Sequence, residues 1–181
     1  MNPFRCISTG RLVLRPVWGG DLADLVMLKA DPRAYAVMLG GVRDARQATE
    51  ELADDVVFWG RHGVGMWSVR DARTDQFIGL VGILERADGR GMALRFAFDP
   101  NRRGAGYASE ATGAALRFGH ERAGFGRIVA VARATNFSSR TVLGAIGMRE
   151  CESFQRDGLE MLVYESVRRP RQALSGSRIE T

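Results

Sequence analysis

The chain nearly lacks lysine: of its 26 basic residues, 25 are arginine and the remaining one is Lys29. They are scattered among 21 acidic residues, and no sustained basic stripe alternates with aromatics. A net charge of +5 arranged in this way does not make a nucleic-acid surface, although a basic face still attracts anionic ligands. Cysteine is almost as scarce. Cys6 and Cys151 allow at most one bridge, and with His62 and His120 far apart they form no metal-ligand cluster. Both thiols are expected as small buried or half-buried apolar residues, and no metal is expected.

Long apolar runs are missing too. The longest, "FIGLVGIL", has 8 residues, against ~20 for a bilayer span. The stretch "MNPFRCISTGRL" contains no apolar signal core, which makes a cytoplasmic location the expectation. Repeats and low-complexity segments are lacking from the body of the chain. A length of 181 residues is then most simply one domain with a core that needs no staples. The expected domain covers 10–168, followed by a polar tail over 169–181.

What is present reads as strands and helices in alternation. Leu12 and Leu14 alternate with Arg11, Val13 and Arg15, a first strand. Asp21 opens a helix carrying Leu22, Leu25 and Leu28, which Pro32 stops. From Asp44 a second helix places Ala48, Leu52, Val56 and Trp59 on one stripe. Residues 65–85 give two strands around a polar turn, and "RGMALRFAFDP" gives a fourth that Pro100 ends. A long helix reaches about Ala123, and "GRIVAVA" is a strand covered on both faces. Asn136 caps a further helix closed by Gly147, and a hairpin turning at Asp157 and Gly158 completes a mixed α/β domain.

The chemistry concentrates in "DPNRRGAGYASEA". A helix start exposes unpaired backbone N–H groups and a partial positive charge, glycines admit a ligand without a Cβ in the way, and Arg102 and Arg103 add charge. A Walker loop is ruled out because the required Lys is missing. A dinucleotide fingerprint fits poorly, with Ser109 at its third glycine and a Pro-Asn-Arg-Arg spacer after the strand. A coenzyme A pyrophosphate loop is the third reading, and solvated arginines on a Gly-rich connection remain the bland one. In "ATNFSSRTVLGAIGM", Asn136 stands just past a buried strand with Ser139 one turn into the next helix. There an Asn can hold a ligand's amides and a Ser can protonate a leaving thiolate, or the two can be a plain cap and an exposed helix residue.

The segment running from "FDPNRRGAGYASEA" through "GRIVAVARATNFSSRTVLGAIGM" resembles the acetyl-CoA-binding half of the GNAT superfamily of N-acetyltransferases, and more narrowly its RimJ/RimL-like branch. The resemblance implies a mixed, mostly antiparallel seven-stranded sheet with four helices, splayed between the fourth and fifth strands. It implies acetyl-CoA as co-substrate and an amine acceptor, a protein N-terminus or a small molecule, on a monomer or homodimer.

The pantetheine arm would pair with the backbone around Phe96 and Phe98. The pyrophosphate would meet the amides of Arg102, Arg103, Gly104, Ala105, Gly106, Tyr107 and Ala108. Asn136 would hold the pantetheine, Ser139 would act as general acid, Arg140 would reach the adenosine-side phosphates, and the Phe98 N–H would steady the oxyanion. Two positions depart from the pattern: Asn101 replaces a common Gln or Arg, and Ala93 replaces a common Glu, so the general base is open between Glu85, Asp99 and a water chain. Glu110 matches a recurrent family residue but suits helix-start electrostatics and loop packing. Trp59, Trp67, Phe154 and Tyr164 are core or acceptor-side walls. A non-catalytic acetyl-CoA sensor and a dinucleotide-binding module are the alternatives.

Overall fold

The alternating leucines of the first strand do lie on a sheet, with Leu12 and Leu14 fully buried. In the computed structural model, which describes residues 5–168, the order is β1 (Ile7–Ser8), β2 (Leu12–Pro16), α1 (Leu22–Ala30), α2 (Pro32–Tyr35) and α3 (Ala45–His62). Then follow β3 (Met66–Asp71), β4 (Phe77–Glu85), β5 (Met92–Phe98), α4 (Tyr107–Glu121), β6 (Arg127–Arg133), α5 (Phe137–Ala145), β7 (Arg149–Arg156) and β8 (Leu159–Val167). The strands form one sheet in the order β1-β2-β3-β4-β5-β6-β8-β7. All neighbours are antiparallel except β5 and β6. No helix among the described residues is long and apolar enough to cross a membrane. The expected tail over 169–181 lies outside the described residues.

The counts exceed the expected seven strands and four helices by one each, for local reasons. β1 has two residues, too few for a period, and is held against β2 across a turn closed by the Thr9 amide on the Leu12 carbonyl. Pro32 stops α1, yet it also starts α2, because the Asp31 carboxylate accepts from the Arg33 amide and the proline ring presets the first helical φ. The α3 stripe also shifts. Ala48, Leu52 and Trp59 are buried, but Val56 is 44% exposed. Cys6 is half-buried and Cys151 exposed, both as free thiols.

Two layers cover the sheet. α4 lies on the face carrying Ile83 and Ile128, whose methyl tips are within 2.6 Å of where a Cβ on Gly119 would sit. On that face Trp67, fully buried, stands edge-on to Phe118 at 5.2 Å, and it also meets Trp59 of α3 at 4.9 Å. Such aromatic junctions bury much apolar area at low entropic cost. Trp59, Trp67 and Tyr164 are thus core residues, and of the four aromatics suggested as acceptor walls Phe154 alone is half-buried. α1 to α3 cover the opposite face, where Ala93, Arg95 and Ala97 of β5 point. The site forms where the sheet between these layers comes apart.

Candidate active site

β5 pairs along its whole length with β4, and β6 along its whole length with β8, but β5 and β6 share a single register pair, Ala93 with Val129. The direction of the unused backbone groups follows from the antiparallel ladders. Because the Asp99 amide donates to the Ile78 carbonyl, alternation turns the amides of Ala93, Arg95 and Ala97 toward β4 and those of Phe96 and Phe98 toward β6. On the far side, the Arg168 amide on Gly126 and the Ala134 amide on Glu160 fix both ends of the β6–β8 ladder. Ile128, Ala130 and Ala132 therefore face β8, while Val131 and Arg133 face β5. Past Ala93, two strand edges look at each other across a gap with their hydrogen-bonding groups unmatched, a place where an extended, amide-bearing chain completes both.

At the wide end of the gap stands the glycine loop. Gly104 and Gly106 both have positive φ, 84° and 77°, which only glycine adopts without strain. Gly106 caps α4 with no side chain, so none of the first amides is masked. Among the described residues, the backbone N–H groups of residues 103–109 donate to no protein acceptor. The Arg102 amide differs from the expectation: it closes the 3₁₀ turn onto the Asp99 carbonyl at 2.9 Å and is not free. Side chains brace the loop from outside. Arg102 donates to Gln76 at 2.5 Å, Arg103 to the Arg33 carbonyl at 2.7 Å, and Arg11 to the Ala105 carbonyl at 2.8 Å. The Asn101 side chain accepts from Arg33 at 3.4 Å.

Glu110 belongs to this bracing. Its carboxylate accepts from Thr9 Oγ1 at 2.5 Å, the Arg11 amide at 3.1 Å and Arg11 Nε at 2.7 Å, tying α4 to the β1–β2 turn. Burial pushes its pKa up, but these donors outweigh burial and hold it below the usual value.

At the β6–α5 corner, Asn136 Oδ1 caps α5 by accepting the Ser139 amide at 3.2 Å. Its amide nitrogen has no partner among the described residues, and both Asn136 and the half-buried Ser139 line the cleft. Arg140, expected near the adenosine-side phosphates, is engaged by protein acceptors. It donates to the Ala134 carbonyl at 2.9 Å and to the Tyr164 hydroxyl at 3.2 Å, and so locks the corner to β8.

The gap opens on the α1–α3 side into a cleft of about 340 Å³. Glu85 is exposed at the end of β4, and the Asp99 carboxylate accepts the Asn101 amide at 2.9 Å; neither lines this cleft. The carboxylates that do are Glu51, Asp54 and Asp55 of α3. The signal for Asp55 was present in the sequence. Positions 48, 52, 55 and 59 fall on one helical stripe, so an aspartate sits in the row of Ala48, Leu52 and Trp59.

Burial lifts the Asp55 pKa to about 6, with Glu51 adding to the rise and Lys29 and Arg95 opposing it. Burial also pushes Glu51 up, but Lys29 Nζ at 2.6 Å and Arg43 Nε at 2.5 Å hold it below the usual value. The Tyr35 phenol rises well above its ordinary value, first by burial and then by Glu51 and Asp55. Arg95 is exposed, and partial desolvation and then the Arg86 charge lower its pKa.

A family model described as an acetyltransferase (GNAT) domain matches residues 11–149. The chain belongs to the GNAT acetyltransferase family. Among curated proteins, this GNAT chain is 29% identical over 167 residues to YkkB of Bacillus subtilis (strain 168), an uncharacterized protein, covering 91% of this chain and 97% of that one. A solved acetyltransferase from Agrobacterium tumefaciens str. C58 superposes with a TM-score of 0.80 at 26% identity, covering 90% of this chain and 94% of the other. Mycobacterium smegmatis RimJ, solved with a CoA-disulfide, shares the fold at a TM-score of 0.70 and 21% identity, over 86% of this chain and 81% of its own. In this GNAT domain the splay falls between β5 and β6, the fourth and fifth strands of the seven-strand count.

Proposed function

We propose that this GNAT domain transfers the acetyl group of acetyl-CoA to a primary amine by direct attack within a ternary complex. One observation carries the reading. A sheet that pairs everywhere else opens at a single junction into two unmatched strand edges, and those edges lead to a loop of unpartnered amides at a helix start. The pyrophosphate lies on the amides of residues 103–109, where the helix dipole and the flanking arginines favour it. The pantetheine arm runs between Phe96 and Val131, completing both edges, with the free amide of Asn136 beside it.

In the reaction, the amine nitrogen attacks the thioester carbon, the carbon–sulfur bond breaks, and sulfur leaves with the electron pair. The Phe98 N–H, unmatched by β6, supports the oxyanion. Ser139 supplies the proton that the sulfur takes up. Asp55, on the acceptor side of the gap, accepts the proton that the ammonium must lose. This is the task for which a carboxyl near pKa 6 is suited, because an N-terminal amine titrates at about 7.7–8.0. Cleft walls from α1 to α3 and from the β7–β8 hairpin admit either a peptide N-terminus, as in the RimJ/RimL branch, or a small amine.

The test is calorimetric titration with acetyl-CoA, followed in the same preparation by thiol release with N-terminal peptides and small amines. Binding and turnover are expected. Binding without thiol release on any amine would make the chain a sensor, and thermal protection by NAD(P) but not by CoA would replace the reading with a dinucleotide module.

A further inference from the structure

The charges of the acceptor side of the cleft do not cancel within the protein. Lys29 and Arg43 share Glu51, and Arg86 is paired with Asp88. Arg95, which rises from β5 into the cleft, makes no hydrogen bond or ion pair among the described residues. Across from it, on α3, Asp55 has no hydrogen-bond partner among the described residues either; it and Arg95 feel each other's charge without touching. Arg95 is exposed and Asp55 half-buried, neither charge is cancelled by a protein partner among the described residues, and an opposed pair held apart is complementary to a ligand carrying both signs.

We infer that the acceptor carries a carboxylate close to its amine, and that the cleft holds it between Asp55 and Arg95, the amine toward the helix and the anion toward the strand. The inference rests on the acetyl-transfer reading and narrows it. A polyamine would bring its second cation against Arg95, where Arg133 adds a further guanidinium on the sheet side, and like charge on both sides opposes that occupant. An uncharged amine would bury Arg95 without giving it an anion. A free amino acid supplies the pair of charges, and so does a peptide N-terminus followed by an acidic side chain. Arg95 thereby sets specificity, while Asp55 both places the amine and takes its proton.

The test compares acids with their amides. Steady-state kinetics with acetyl-CoA would be run on free amino acids and their carboxamides, on C-terminally amidated peptides with Asp or Asn at the second position, and on 1,4-diaminobutane. Each acid is expected to show a KM at least about tenfold below that of its amide, the size of one charge-assisted contact. Preference confined to the amino acids would mark a small-molecule acceptor, and preference confined to the Asp peptides a protein N-terminus.

In Arg95→Gln the acid–amide difference should collapse, and in Arg95→Lys part of it should return, which loss of fold would not produce. Equal KM values within each pair, a preference for the diamine, or an intact acid preference in Arg95→Gln would overturn the assignment. Acetyl-CoA binding without turnover on any of these acceptors would overturn it as well, leaving the cofactor site standing. Absence of acetyl-CoA binding by the wild-type chain would remove both readings together.

Discussion

At Asp55 stability and activity pull in opposite directions. Its pKa in the folded protein, about 6, lies above the ordinary aspartate value, so folding favours the protonated form. The stability tied to that proton is fully present below the unfolded pKa and is lost as pH rises through about 6. Asparagine has no proton to lose there, so Asp55→Asn should be more stable than wild type at pH 8, by about 1–2 kcal/mol, and indistinguishable at pH 4. The same substitution should lower kcat/KM by about 10²–10⁴ and flatten the rising limb of its pH profile near 6, as loss of a general base does. Urea unfolding at the two pH values and a pH–rate profile measure both effects. A variant that keeps the wild-type limb would exclude Asp55 as the base.

Between elements, the glycine loop is held in place by a tie from α4 to the β1–β2 turn. Glu110, with 21% of its side chain exposed, has its pKa depressed by Thr9 and Arg11, so its contribution is present above the ordinary carboxyl pKa and lost as pH falls through the folded one. Arg11 is half exposed and solvent screens its charge, so Glu110→Gln should cost about 1 kcal/mol at pH 7 and less at pH 4, read by urea unfolding.

Packing between strands gives a second prediction. A Cβ on Gly79 would lie 2.5 Å from the Ala97 carbonyl oxygen of β5, a backbone atom that cannot swing aside. Gly79→Ala should therefore destabilise by about 1–3 kcal/mol, and a shift of β5 would alter the gap edge carried by Phe96 and Phe98. A thermal melt together with acetyl-CoA affinity checks it; wild-type values for both would show that β4 and β5 accommodate the methyl.

These elements also show what the sequence made legible. The loop, its two glycines and the cap at Asn136 are local features, readable from a dozen residues each. The Asp99 carboxylate that accepts the Asn101 amide was local as well, but an acid at a strand end before Pro100 resembles a free group until its partner is placed. The contacts of Arg140 were illegible for another reason: one of its partners, Tyr164, is on a strand 24 residues away, and spacing carries no trace of that contact. Asp55 was hidden by hydropathy, because a count of apolar residues prefers Val56 to an aspartate, whereas helical geometry at 48, 52, 55 and 59 prefers Asp55. The splay between β5 and β6 entered through family resemblance alone; a strand that fails to pair has no composition of its own.

At the scale of the whole molecule, ligand binding and folding are linked, since the gap and loop exist only in the folded chain. Acetyl-CoA at a hundredfold excess over its Kd should add about 2.7 kcal/mol of stability, a rise in Tm of roughly 5–10 °C for a chain of this size. CoA should protect comparably, because the pyrophosphate and pantetheine are common to both, whereas free acceptor should protect little without them.

The measurement that bears most directly on the whole account is acetyl-CoA titration by calorimetry of the wild-type chain beside Gly106→Val. The φ of 77° at that position already strains any branched residue, and a Cβ there would lie 3.6 Å from the Arg11 guanidinium that braces the loop, so the substitution disturbs the backbone that presents the amides of residues 103–109. Saturable one-to-one binding is expected of wild type, with at least a tenfold weaker affinity for a variant that still melts cooperatively. Wild-type affinity in the folded variant, or no binding by wild type, would contradict it.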